Sequence, residues 1–291
     1  MPYREGFACA GPWVIEYVRE VAHYPPEGGV IKIENEHLQL GGAFPLMAEL
    51  RGRDANAPLY AIGSLGEDEN GHLILDDCHK LDIDTYQLCV KNEIATAHAE
   101  VILAQRSNMR TSFYSGGAND LLSVEHFDFR HCLASWFHLH DLTRLPALLH
   151  PAGEHRTHAG RVLQMAQNAG LITSLYLDQL PDAPVKLNLL STLAFADHLI
   201  ISENTLSQLM EFPETDLSRE AIMTAVQQMM AKSALASVAI VDATAGGFVT
   251  RTGEFQWQEF AADRSSHFPQ ERFCARVIYD AYCKNVRVTN E

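Results

Sequence analysis

Long apolar runs are missing from this chain. Nowhere do about 18 apolar residues follow one another, the length a membrane-spanning helix requires. The N-terminal stretch MPYREGFACAGPWVIEYVREV has charges on both sides of a short apolar run, so it reads as neither a signal peptide nor a spanning helix. Positive charge is scarce. Lys and Arg total 22 against 37 Asp and Glu, a formal net charge of −15. Such a surface repels phosphate backbones and anionic lipid, and no local basic patch offsets it, so neither nucleic acid nor membrane is expected as a partner. The six cysteines, Cys9, Cys78, Cys89, Cys132, Cys274 and Cys283, show no C-x-x-C spacing and no dense framework. They read as small buried hydrophobes in a reducing compartment, which predicts a soluble cytoplasmic protein. Also absent are a P-loop, a G-x-S-x-G elbow, a G-x-G-x-x-G after a strand, any repeat period and any Pro/Gly/Ser linker.

What is present is globular. Of 291 residues, 47% are hydrophobic and 20% charged, which excludes a disordered or coiled-coil chain. A chain this long buries roughly three quarters of its unfolded surface and needs no disulfide or metal to fold. Short apolar strands alternate with helical patterns, the texture of an α/β protein. Residues 7–18 read as a strand broken by Gly11-Pro12, and 30–40 alternate like a strand with one wet face. A helix is predicted after Gly41-Gly42, a buried strand over 59–63 and a helix over 70–80. Residues 97–104 and 110–115 form a second alternating pair around the turn QRSN. From residue 130 onward strands and helices alternate, which predicts parallel strands with crossovers. Residues 218–232 form an amphipathic helix with Ser218 as N-cap, SVAIVDA is a buried strand, and a hairpin around Thr252-Gly253 precedes a last helix over 270–284.

Four blocks in this order carry a resemblance. They are Gly41-Gly42 with AIGSLGEDENGHLILDDCHKLDID, then TAHAEVILAQRSNMRTSFYSGGAND, AFADHLIISENTLSQL and SVAIVDATAGGFVTRTGE. Gly63, Gly66, Asp68 and Gly71 hold a G-x-x-G-x-D-x-x-G pattern. Together the blocks resemble the ribokinase-like (PfkB-type) carbohydrate kinase family over nearly the whole chain. The resemblance implies a doubly wound, mainly parallel sheet flanked by helices, one domain over 1–291, with a small β lid from about 12–40 and 95–116. It implies transfer of the ATP γ-phosphoryl group to a hydroxymethyl of a sugar or nucleoside, with ATP and Mg²⁺ as cofactors. In that family an aspartate takes the hydroxyl proton, and a D-T-x-G-A-G-D run sets backbone N–H groups against developing charge at a helix N-terminus. Lid strands in the family often pair between subunits, which implies a homodimer.

The chain departs from that pattern at the site residues. Alignment places Glu271 where the catalytic aspartate belongs, preceded by Phe268, Pro269 and Gln270 instead of Gly-Ala-Gly. Proline has no N–H to donate. Asp263 matches the motif's leading aspartate, with two extra residues between. Glu16 stands in for an aspartate five residues after the first-strand glycine, and Leu46 for a sugar-binding asparagine. Ser202 and Thr205 replace the asparagine and glutamate of N-x-x-E, and only Asp178 remains of D-P-N-x-R. The substrate set implied is therefore Glu16, Gly41, Gly42 and Arg110, and the cofactor set Asp178, Ser202, Thr205 and Asp263. Catalysis is expected to be weak or lost.

Other readings use the same residues. On the second, the fold persists without chemistry, as a pseudokinase that binds a small molecule or a partner. A third takes the H-x-H at His138 and His140, two residues apart on one strand face, as half of a zinc site in a metal-dependent hydrolase. The plainer reading of Glu271 is an acidic residue in a helix's first turn. That of Asp68 is a turn and cap residue, that of Arg110 a solvated turn arginine, and that of Gly41 and Gly42 backbone hinges. Met223, Met229 and Met230, with Phe255 and Trp257, are expected in the core.

Overall fold

Strand β1, Phe7–Ala10, is buried along its whole length and sits in the middle of a nine-stranded sheet. The computed structural model describes residues 4–107, 109–153, 157–180, 189–210, 218–242, 245–251, 255–259 and 269–289. On one side of β1 lies β4, Leu59–Gly66, and beyond it β5, Ile83–Lys91, both parallel to their neighbours. On the other side follow β8, Trp136–Leu139, β9, Ile172–Leu177, β10, His198–Ser202, and β11, Ser237–Val241, all parallel. The antiparallel strands β12, Ala245–Thr250, and β13, Phe255–Glu259, finish that edge.

Side chains alternate across this sheet because successive Cβ atoms point to opposite faces. Phe137, Leu139, Leu175, Leu177 and Ile201 join one core with helices α3, Pro146–Leu149, α4, His158–Asn168, α5, Glu203–Met210, and α6, Arg219–Ala231. Trp136, Tyr176 and Ile200 join the other with α1, Ala43–Arg53, α2, Glu69–Lys80, and α7, Pro269–Thr289. Strands covered on both faces read as near-continuous apolar runs, as SVAIV does. Ser218 caps α6 by accepting from the Ala221 N–H at 3.2 Å, and Met229 and Met230 are core residues of that helix.

A second sheet runs in the order β3-β2-β6-β7, with β2 Trp13–Val21, β3 Ile33–Gly42, β6 His98–Ala104 and β7 Met109–Ser115. The sequence predicted two antiparallel pairs in one small lid. The structure joins them through a parallel β2–β6 ladder, which no local pattern encodes. Arg110 belongs to β7 and not to the preceding turn. Strand β5 was also missed; its burial alternates irregularly and it has a sheet neighbour on one side only.

The strand order reverses between β1 and β8, so the sheet is built outward from these two strands in opposite directions. That opens a crevice, the place where such sheets bind ligands. Among the described residues, no helix is long and apolar enough to cross a membrane.

Candidate active site at the switch point of the sheet

Strand β2 leaves the crevice directly after β1 and carries Glu16, which is 3% exposed. Its carboxylate accepts from the Arg110 guanidinium of β7 at 2.5 Å and from the Gln39 amide of β3 at 2.8 Å. By register, Glu16 shares a row with Ala99 and Tyr114, and Arg110 shares one with Leu103 and Glu20. The Arg110 side chain therefore crosses the intervening row of Val18 and Val101, both buried. Gly41 permits the contact: a Cβ there would lie 2.5 Å from the Glu16 Oε1 atom. Gly42, at φ 68°, turns the chain into α1 against the Pro12 carbonyl, which accepts from the Ala43 N–H at 2.8 Å. The predicted substrate residues Glu16, Gly41 and Arg110 thus come together, with Gly42 as the hinge beside them.

Asp141 follows β8 into the crevice. Its φ is 42°, a left-handed conformation uncommon outside glycine and found at functional sites. It pairs with Arg144 at 2.9 Å, and the Arg144 guanidinium lies 5.1 Å from the centre of the Tyr114 ring of β7. Asn119 binds this region to β2. Its Oδ1 accepts from the Trp13 N–H at 3.2 Å, and its Nδ2 donates to the Trp13 carbonyl at 3.2 Å and to the Tyr114 hydroxyl at 3.1 Å.

Two more carboxylates face the same space, and neither forms an ion pair among the described residues. Asp178 follows β9. Burial and the charge of Asp141 push its carboxyl up, against Arg144, Arg110 and the Tyr176 hydroxyl that donates to it. Glu271, in the first turn of α7, is half-buried. Burial is the main cause that pushes its carboxyl up to about 7, with Glu16 and Asp178 adding repulsion, while the helix backbone and Arg110 oppose the shift. A carboxyl tuned to that range is matched to proton transfer near neutral pH. Arg110 and Arg144 are thus paired with Glu16 and Asp141, and among the described residues neither Asp178 nor Glu271 has a cationic partner of its own.

Ser202 ends β10, and Thr205 lies in the first turn of α5. Ser202 Oγ and Thr205 Oγ1 lie 2.7 Å and 2.5 Å from the main-chain carbonyl oxygen of Asp178, and Ser202 Oγ accepts from the Thr205 N–H at 3.2 Å. They cap α5 and fasten it to the end of β9. Leu46 is fully buried in the core between α1 and the sheet. Asp263 and Phe268 lie outside the described residues. Trp257 stacks under the Arg219 guanidinium at 5.2 Å, whereas the side chain of Phe255 lies outside the described set.

Asp68 is the cap residue of α2. Its carboxylate accepts from the Gly71 N–H at 2.8 Å, the Thr96 N–H at 2.7 Å and the Thr96 hydroxyl at 2.6 Å. That clamps α2 to the chain entering β6. His138 and His140 do share one strand face, as the H-x-H spacing predicts, but each ring takes part in a buried hydrogen-bond chain. Among the described residues, no group of three His, Cys, Asp or Glu side chains is arranged to hold a metal ion. Arg144, Tyr176 and Asn119 were not read from sequence as site residues. The spacing of Asp141 and Arg144, three apart just past a strand end, was the one signal available.

Comparison with known proteins agrees with this architecture. No curated protein matches the chain in sequence. A ribokinase from Giardia lamblia superposes with a TM-score of 0.74 at 18% identity, over 94% of this chain and 84% of that one. The Xylella fastidiosa fructokinase with bound ATP gives 0.71 at 21% identity, over 95% and 81%. An Arabidopsis thaliana ribokinase complexed with ribose and ATP gives 0.68 at 19% identity, over 94% and 84%. The family model for pfkB family carbohydrate kinases matches residues 48–264, three quarters of the sequence. The chain belongs to the pfkB family of carbohydrate kinases.

Proposed function

We propose that the protein is a weak sugar or nucleoside kinase that transfers the γ-phosphoryl group of ATP to a hydroxymethyl group. The observation that carries this reading is Glu271: a carboxyl raised to about 7, at the start of α7, beside Arg110, Glu16 and Asp178. In the transfer, the substrate oxygen forms a bond to phosphorus, its proton passes to the Glu271 carboxylate, and ADP leaves. Arg110 brings positive charge from the second sheet, which acts as a lid on a single domain. ATP–Mg²⁺ supplies the phosphoryl group when bound. Asp178 is the oxygen donor the chain offers the metal, since the Ser202 and Thr205 hydroxyls already engage the Asp178 carbonyl. That reduced donor set is the physical ground for slow turnover.

A second reading, binding without turnover, draws on the same engagement of Ser202 and Thr205. Calorimetry with ATP–Mg²⁺ and an ADP-release assay over sugars and nucleosides separate the two. Release that Glu271→Gln abolishes supports the kinase; ligand binding with no release supports the second reading. A homodimer through the lid sheet fits the exposed side chains of its edge strands, Ile33 and Leu38 on β3 and Met109 and Phe113 on β7. Light scattering at working concentration tests it, and a monomer refutes it.

A further inference from the structure

A buried polar column climbs the face of the central sheet that packs against α7. Trp136 and His138 of β8 and His140 just beyond it share that face with Ser174 and Tyr176 of the neighbouring strand β9 and Asp178 just beyond it. The Trp136 indole N–H lies 2.8 Å from Ser174 Oγ, Ser174 Oγ lies 2.7 Å from His138 Nδ1, and His138 Nε2 lies 3.3 Å from His140 Nδ1. All are enclosed: Trp136 and Ser174 are 0% exposed, His138 1% and His140 2%.

Donor chemistry gives this column one direction. An indole N–H only donates, so Ser174 Oγ accepts from it. The Ser174 hydroxyl proton has no other acceptor among the described residues than His138 Nδ1, and a fully buried hydroxyl does not leave its proton unused. His138 then carries its own proton on Nε2 and donates to His140 Nδ1. That leaves the His140 proton on Nε2. The opposite direction would strand the serine proton. Both rings are kept neutral: burial pushes the His138 imidazole well down and the His140 imidazole to about 4, where the attraction of Asp141 does not offset it.

The two imidazole nitrogens bond toward roughly opposite sides of the ring. With Nδ1 turned back to His138, the Nε2–H faces the carboxyl end of the strands, where Asp141, Arg144 and Asp178 border the crevice. The ring is held there by the Tyr176 ring, 4.9 Å away, and by Gly11, where a Cβ would come within 2.9 Å of the His140 Cβ. No group among the described residues takes that proton.

We propose that His140 is a ligand-positioning residue: a neutral imidazole whose Nε2–H is directed into the crevice to meet an acceptor oxygen of a sugar or nucleoside. It is a donor only. It serves neither as a base, because Nε2 holds the proton, nor as a metal ligand. The ligand contact rests on the kinase-family reading of the crevice; the donor tautomer does not.

Long-range ¹H–¹⁵N spectra of the ¹⁵N-histidine-labelled full chain test both parts, with His140 assigned through its backbone resonances so that no variant has to fold. The expected result is a pyrrole-type Nε2 and a pyridine-type Nδ1, unchanged from pH 5.5 to 8. A proton on Nδ1, or an imidazolium at pH 6, overturns the donor. Addition of aldoses, ketoses and nucleosides in turn is expected to shift the Nε2 resonance with at least one; no shift with any overturns the contact. A shift without ADP release leaves this inference standing while the kinase reading falls. Where turnover exists, His140→Leu raises KM at least tenfold with kcat changed less, and His140→Asn, which keeps an N–H donor, restores part of it.

Discussion

Glu16 of β2 and Arg110 of β7 meet at 2.5 Å across a strand that belongs to neither. The carboxylate is 3% exposed and the guanidinium 40%. The pair is unequal, so the two halves cost different amounts to remove. Arg110→Ala leaves a buried carboxylate with only the Gln39 amide, whereas Glu16→Gln lets the arginine swing into water. Arg110→Ala is expected to lose about 1–2 kcal/mol, below the cost for a fully buried pair because one partner is wet. Glu16→Gln is expected to lose less. Urea unfolding of both and of the double variant measures this, and a larger loss for Glu16→Gln contradicts the assignment.

Asp68 links α2 to the entry of β6. Burial raises its carboxyl, but the Thr96 hydroxyl and the Thr96 and Gly71 N–H groups outweigh that and hold it below the usual range. Such a group stabilises the fold above its unfolded value near 4 and loses that contribution as pH falls through the folded value. Asp68→Ala is expected to cost about 2 kcal/mol. Asp68→Asn is expected to cost nearly as much, since an amide nitrogen set against N–H donors accepts nothing. Thermal unfolding at pH 7 and pH 3 checks it: the gap between wild type and Asp68→Ala narrows at the lower pH.

Glu271 titrates in the opposite sense. Its folded carboxyl near 7 lies above the unfolded value of 4.5, so the folded state holds the proton more tightly. The stability it contributes is complete below pH 4.5 and is lost as pH rises through 7. Glu271→Gln removes that loss and is expected to be more stable than wild type at pH 8, by up to about 3 kcal/mol. With Glu271 as the proposed base, phosphoryl transfer is expected to move the other way, rising with pH through about 7 as the carboxylate forms, and the variant is expected to lose about 100-fold or more. A flat pH profile of kcat contradicts the assignment of this base.

Asn119 holds both the N–H and the carbonyl of Trp13, as a neighbouring strand would. Asn119→Ala leaves two main-chain groups unpaired in a buried place, with an expected cost of about 2–3 kcal/mol. Hydrogen exchange localises the effect. Faster exchange is expected at Trp13 and along β2, with β9 to β11 unchanged; uniform acceleration points to global unfolding instead.

The two glycines at 41 and 42, the Asp68 cap and the buried runs of β1, β4 and β11 were legible in the chain because each is local. A cap needs three residues, a buried strand five, and a sharp turn beside a carbonyl needs glycine. The parallel ladder between β2 and β6 was not legible, since it pairs residues about 80 apart and parallel strands carry no hairpin signal between them. Ser202 and Thr205 show the same limit: their types alone do not reveal that both hydroxyls close on a carbonyl at the end of another strand.

Residue order alone determined the layered α/β arrangement, the family, the excess of acidic residues and the Phe-Pro-Gln run before Glu271. These follow from periodicity and side-chain type, which act over a few positions. Tertiary structure decided which charges neutralise each other, which carboxylates have no ion-pair partner among the described residues, and the direction of hydrogen bonding from Trp136 to His140. Electrostatics and proton placement depend on distance and burial, and those quantities exist only once β1, β8, β9 and α7 have been brought side by side.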